Sequence, residues 1–193
     1  MKSKRNQEAF DHAKQTQQAM ETLAVMEKIN LYFFDESGFS TVPLIPYAWQ
    51  PQGETREMPS FPSQRLNVLG FMSKNQPSYF QTIEGNINTQ SVVAAFDAFT
   101  LAYAAEYASH NKPCIIILDN ASFHTSHAFL QQVDKWGARG VVLHFLPPYS
   151  PELNLIEILW RKIKYEWLPL SCYLSYSHLK NSVISILEGF GTE

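Results

Sequence analysis

Two short apolar runs in this chain end on a carboxylate, and a third ends on a pair of prolines. Residues 31–34 are followed by Asp35, Cys114–Leu118 by Asp119, and residues 141–146 by Pro147 and Pro148. Unbroken apolar runs of this length suit strands buried on both faces of a sheet covered by helices. A central strand cannot contain proline, so the third run must stop at Pro147. Open α/β sheets place their chemistry at the carboxyl ends of strands, so Asp35 and Asp119 are expected at such ends. Arg65–Met72 predicts a further strand. Residues 39–49 predict one interrupted by Pro43 and Pro46, and residues 79–83 a short or edge strand.

Helical patterning fills the intervals. Residues 6–28 lack Gly and Pro and are rich in Ala, Gln, Glu, Lys and Met, which favours a helix. Its loose stripe of Phe10, Ala13, Met20 and Ala24 fits packing on the domain, or a linker to an upstream part. In residues 91–109, Val92, Ala95, Phe96, Phe99, Tyr103 and Tyr107 recur at helical spacing, with Asn88 or Thr89 placed to cap. Residues 126–136 predict another helix before a turn bracketed by Gly137 and Gly140, and residues 177–188 a last one. After Pro148, Pro151 suits a first helical turn, and Asn154 with Glu157 has the spacing of a capping box. Ile156, Leu159 and Ile163 then form a core face, and Glu157, Trp160, Arg161 and Lys164 an adjoining one. The order is three antiparallel strands, helix, strand, helix, strand, helix. That order predicts an α/β, ribonuclease H-like fold: a mixed central sheet with three leading antiparallel strands and helices on both faces.

Asp35, Asp119 and Glu157 come from distant parts of the chain and all stand at expected element ends. Mg²⁺ takes oxygen ligands and keeps several waters, so two or three carboxylates suffice to hold it. Taken singly, each of the three is also an ordinary turn or capping residue.

The stretches FFDESGF, LDNASFH and LPPYSPELNLIEILW resemble the three catalytic motifs of DDE transposases, most closely the bacterial insertion-sequence branch of the mariner superfamily. The resemblance covers about residues 31–168 and is most specific in the third stretch, where Leu155 stands in place of the family's usual Pro. It implies a catalytic, metal-binding triad of Asp35, Asp119 and Glu157. The step from Asp119 to Glu157 is slightly longer than the commonest mariner spacing, and the extra residues fit the turn at 135–140. The resemblance further implies two Mg²⁺ (or Mn²⁺) ions, cleavage of DNA at transposon ends, and strand transfer into target DNA, with a TA dinucleotide as target. Asn120, His124, Trp160, Arg161 and Lys164 would support the ligands or contact DNA. His124 fits equally as a cap of the following helix. The partners would be DNA and a second copy of the chain, as a homodimer or higher assembly. Two other readings fit the same residues: a ribonuclease H-like nuclease that cuts without joining, and an inactive remnant acting only as a DNA-associated or interaction module. A phosphatase built on Asp35 does not fit, because no second Asp follows two residues later.

Other polar residues carry weaker expectations. Glu36 would face away from Asp35 and be structural or support the site, since neighbours on a strand alternate sides. Glu152 is a rival third acid in a solvated turn, and Asp97 is expected to face solvent. Trp49 resembles the family's Trp-to-Gly hairpin, and as a plain aromatic it would cover the core.

Composition narrows the setting. The chain has 193 residues, enough for one domain with a real core. The expected division is an N-terminal helix or linker at 1–28, a catalytic domain at 29–170 and a C-terminal helix packed on it at 171–193. No apolar run approaches the roughly 20 residues needed to span a bilayer, and the N-terminus lacks the apolar stretch of a signal peptide. Two cysteines make no disulfide framework and show no zinc spacing, which favours a reducing cytoplasm. The net charge of −3 sits poorly with DNA binding, which needs a basic surface. A carboxylate site explains part of that balance. The rest suggests that specific DNA affinity lies in helix-turn-helix modules for which there is no room before residue 31, so the chain is expected to be the catalytic half alone.

Overall fold

The apolar runs become the strands of one mixed sheet. The computed structural model describes residues 5–42, 53 and 62–191. Its strands are β1 (Asn30–Ser40), β2 (Arg65–Met72), β3 (Tyr79–Glu84), β4 (Cys114–Leu118) and β5 (Val141–Phe145), laid side by side as β3-β2-β1-β4-β5. The first three pair antiparallel, and β4 and β5 run parallel to β1. The helices are α1 (Gln7–Val25), α2 (Thr89–His110), α3 (His127–Leu130), α4 (Val133–Gly137), α5 (Ile156–Lys162) and α6 (Tyr176–Gly189).

Alternation along β1 builds two cores. Leu31, Phe33 and Phe39 face α1, α5 and α6, burying with Phe10, Ile156, Leu159 and Val183. Tyr32 and Phe34 face α2, α3 and α4, burying with Phe96, Phe99, Phe129 and Trp136. Adjacent residues on a strand point to opposite faces, so one apolar run serves both layers. Full burial of Phe33 and Phe34 contributes roughly 1.5–3 kcal/mol each. Asn88 caps α2 through a reciprocal hydrogen-bonded box with Ser91.

Several expected elements differ in the structure. β1 does not end at Asp35 but continues to Ser40, because β2 pairs with it from Phe33↔Met72 to Ser40↔Arg65. Its parallel pairing with β4 stops earlier, at Phe33↔Ile117. Asp35 therefore lies within a strand, just past the point where one neighbour ends. Phe39 belongs to β1, the third antiparallel strand is β3, and Trp49 lies outside the described residues. The helix expected at 126–136 is two short ones, α3 and α4, and their Phe129 and Trp136 meet edge to face at 4.9 Å. α5 begins without a side-chain cap, and the chain beyond it widens into a π turn at Ile163–Trp167.

Asp97 is not merely solvent-facing. It accepts hydrogen bonds from Trp136 Nε1 at 2.8 Å and Lys135 Nζ at 2.9 Å, tying α2 to α4. Burial would raise its pKa, but these bonds and the charges of Lys135 and Arg139 outweigh it and lower the pKa. A carboxylate so depressed stabilises the fold above its unfolded pKa, and that contribution is lost as pH falls through the folded value. Asp97→Ala is expected to lower the melting temperature by a few degrees at neutral pH, with a smaller difference in acid, and to leave the site described below intact. Scanning calorimetry at both pH values checks this.

Candidate active site

The register of β1 against β4 sets the site. Two residues beyond the last parallel pair, Phe33↔Ile117, stand Asp35 and Asp119, abreast at the end of β4. The turn ahead of α5 is pinned to the same edge. Asn154 does not cap α5 with its side chain; its Nδ2 donates to the buried Phe34 carbonyl at 2.9 Å. That bond carries Glu157, in the first turn of α5, to the carboxylates of the sheet. Asn120 Nδ2 donates to the Leu146 carbonyl, joining the ends of β4 and β5.

Asp35 is held from the α5 side. Trp160, 2% exposed, donates its indole N–H to Asp35 Oδ2 at 3.1 Å. The buried indole is thus turned toward Asp35. The ring fits because Gly70, opposite Asp35 on β2, has no side chain. A Cβ there would lie 2.8 Å from Trp160 and from Ile156. Burial, then the negative charges of Glu157, Glu36 and Asp119, push the Asp35 carboxyl well above its usual pKa.

Asp119 is held from the other face. Its Oδ1 accepts from the Ala121 N–H at 2.9 Å and from His124 Nδ1 at 3.0 Å. His124 is fully buried, lies edge-on to Phe34, and brings Nε2 to 3.5 Å from Glu36 Oε2. Burial alone would lower its pKa, but Asp119 and Glu36 together push it up to about 9. Burial likewise acts to raise the Asp119 pKa, and the bonds from His124 and Ala121 reverse it. His124 thus does not cap the following helix; Ser126 caps α3.

Glu157 is more exposed, and burial raises its pKa against the pull of Lys164. Lys164 is half-buried, 5.5 Å above the Phe39 ring, and burial lowers its pKa against the pull of Glu157. Arg161 is exposed beside it, and Lys162 lies 5.7 Å over the Trp167 ring. Glu152, the rival acid, pairs with Arg5 at the start of α1.

Four carboxylates therefore act on one another electrostatically at one edge of the sheet. Their mutual repulsion is what a hard cation would relieve, and oxygen donors suit Mg²⁺ and Mn²⁺. The residues fit such an ion in donor type and charge. Among the described residues, no three His, Cys, Asp or Glu side chains are gathered around one point. A recess of about 310 Å³ opens beside them, lined by Asp119, Asn120, Tyr149, Asn154 and Glu157. A larger one of about 1070 Å³, between the β2–β3 turn and the end of α6, contains none of the triad.

Sequence reasoning missed the part played by Gly70 and the pairing of Glu36 with His124. A glycine inside a strand does signal a close approach, so Gly70 was open to that reading. Nothing local marks Glu36 as a partner of a residue in another motif.

Solved structures share this fold. The catalytic domain of Mos1 mariner transposase matches with a TM-score of 0.59 at 13% identity, over 94% of this chain and 80% of that one. The Mos1 transposase paired-end complex with left transposon end gives 0.59 at 14% identity, and the Mos1 mariner paired end complex with Mn gives 0.61 at 15%. Each of those two is covered over 56% of its chain and covers 96% of this one, so the present chain spans little more than half their length. At such identity the likeness is one of fold, the ribonuclease H-like α/β arrangement. No curated protein matches the sequence. The family model for DDE superfamily endonucleases matches residues 30–180, a span that contains Asp35, Asp119 and Glu157. This chain belongs to the DDE superfamily endonuclease family.

Proposed function

We propose that this chain is the catalytic domain of a transposase that cuts DNA at transposon ends and joins the freed ends to target DNA. The observation that carries the reading is Asp35 set abreast of Asp119, with Glu157 brought to the same edge by Asn154. The family and the transposase fold support it, as do the transposon-end complexes among the similar structures. The wording of the third motif favours the bacterial insertion-sequence branch.

Asp35, Asp119 and Glu157 would hold two Mg²⁺ or Mn²⁺ ions, which supply Lewis acidity at a scissile phosphate and lower the pKa of an attacking water or 3′-hydroxyl. The chain's own groups prepare that site. Trp160 fixes one oxygen of Asp35, and His124 with the Ala121 N–H fixes one oxygen of Asp119. Lys164 and Arg161 leave the same stretch as Glu157 and would meet DNA phosphates, which draw cations to them. The acidic balance of the chain leaves sequence-specific DNA recognition to other parts of a longer protein. Pairing of two ends calls for a homodimer or higher assembly on DNA. Two free cysteines, and no described helix long and apolar enough to cross a membrane, fit a cytoplasmic setting.

The test uses a duplex ending in the inverted repeat that flanks the chain's own gene, precut to expose a 3′-hydroxyl, with plasmid target and Mn²⁺. Joined products are expected, as is nicking of the uncut end. Nicking without joining would support a plain nuclease. No reaction from folded protein would support the remnant.

A further inference from the structure

We infer that Glu36 and His124 form a buried positioning pair that aims the free oxygen of Asp119 at the site, a role resting on the metal-dependent reading above. Asp119 needs such help because it stands on the first residue past β4, with its side chain 52% exposed. No strand pairing fixes it there. Both hydrogen bonds it accepts land on Oδ1, one from the Ala121 N–H and one from His124 Nδ1. Oδ2 has no protein partner among the described residues and is the atom left for a ligand.

The ring that does this is itself held on every side. Nδ1 meets only acceptors, the Asp119 carboxylate at 3.0 Å and the Asp119 carbonyl at 3.2 Å, so it carries the proton. Phe34 and Phe129 flank the ring at 5.4 and 5.8 Å between centroids. Nε2 is buried with no hydrogen-bond partner, and so is Glu36 Oε2; the two face each other at 3.5 Å. That distance is longer than a hydrogen bond and within ion-pair range. Glu36 is 19% exposed, so the pair is screened little by water. Glu36 thus anchors the far end of a ring whose near end orients Asp119. Because Glu36 and Asp35 are neighbours on β1, the strand that carries one carboxylate of the triad also steadies a second through His124. The triad is supported from both faces of the sheet: Trp160 on one and His124 on the other.

Three variants test the pair: His124→Ala, His124→Asn and Glu36→Asp. Each is read by Mn²⁺ affinity of the metal-free protein in calorimetry, by DNA cleavage at saturating Mn²⁺, and by melting temperature. Outer groups that orient metal ligands typically matter by about 10–100-fold in affinity or activity. His124→Ala is expected to weaken Mn²⁺ binding and slow cleavage by amounts in that range. In His124→Asn the amide nitrogen falls where Nδ1 lies, so Asp119 regains its donor although the charge is gone; part of the loss should be recovered, leaving a deficit like that of Glu36→Asp because the shorter side chain no longer meets Glu36. Glu36→Asp keeps the charge and loses the reach, and should slow cleavage by about 10-fold with little change in melting temperature. A purely electrostatic role predicts the reverse: tighter Mn²⁺ binding once the His124 cation is removed, and a Glu36→Asp variant like wild type. Either result would overturn the proposal, as would losses in all three variants that merely track their melting temperatures. Wild type that binds no Mn²⁺ and cuts no DNA would sink the metal reading itself, and this role with it.

Discussion

Asp35→Asn is expected to abolish cleavage and, at neutral pH, to make the metal-free protein more stable. The two effects have one source. Asp35 sits among Glu157, Glu36 and Asp119, and burial and their charges raise its pKa. An acid whose folded pKa is raised keeps its proton longer in the folded state than in the unfolded one. Its effect on stability therefore turns unfavourable as pH rises from the unfolded value, near 4, through the folded one. Asparagine removes that penalty and can still accept the Trp160 N–H. The melting temperature should rise by about 2–8 °C, and the gap to wild type should narrow as pH falls toward 4. On the proposed function, in which Asp35 would hold metal, cleavage should drop by at least ~10³-fold. Asp119→Asn should lose cleavage to a similar extent with the opposite effect on stability. Its folded pKa is lowered, so it stabilises the protein above its unfolded pKa, and without its charge the buried His124 keeps only Glu36. If both variants melt in the same direction, the electrostatic account of the site is wrong.

Gly70→Ala is expected to damage both the fold and the chemistry, although the residue brings no functional group of its own. The added methyl would stand 2.8 Å from Ile156 Cδ1 and from two ring atoms of Trp160. Both residues are buried, so neither can swing aside into water. Overpacking of this kind costs about 1–3 kcal/mol, which corresponds to a loss of roughly 3–10 °C in a chain of this size. The easiest relief moves the indole away from β2 and so away from Asp35 Oδ2. Cleavage should then fall by about 10–100-fold, as for other groups that orient metal ligands. Trp160→Phe separates the two effects. It keeps most of the packing and deletes only the N–H, so it should slow cleavage about 10-fold with a small change in melting temperature. A Gly70→Ala protein that melts and cuts like wild type would show that the indole has room to spare.

Much of the fold was legible because it rests on local pattern. Apolar runs gave β1, β2, β4 and β5; helical spacing and the Asn88 cap gave α2; the absence of Gly and Pro gave α1. The three acids were singled out by motif, and the structure brings Asp35 and Asp119 abreast and Glu157 to the same edge. What failed was local in form and tertiary in cause. Asn154 has the spacing of a cap, yet its side chain goes instead to the Phe34 carbonyl, 120 positions away. The helix expected at 126–136 breaks in two, and Phe129 and Trp136 both join the aromatic cluster over β1.

The sequence by itself determined which residues are apolar, in what period, and which carboxylates accompany them; these follow from side-chain chemistry and backbone preference along a few neighbouring positions. Only the tertiary structure decided how each carboxylate is held. Trp160 reaches Asp35 across 125 positions, over a strand that must carry glycine at position 70. His124 joins Asp119 to Glu36 because β1 and β4 run parallel in register up to Phe33↔Ile117, just before these residues. Such contacts depend on strand register and on the depth of a side chain beneath the surface, and both are set by the packing of the whole sheet between its helices, which no short window of the chain contains.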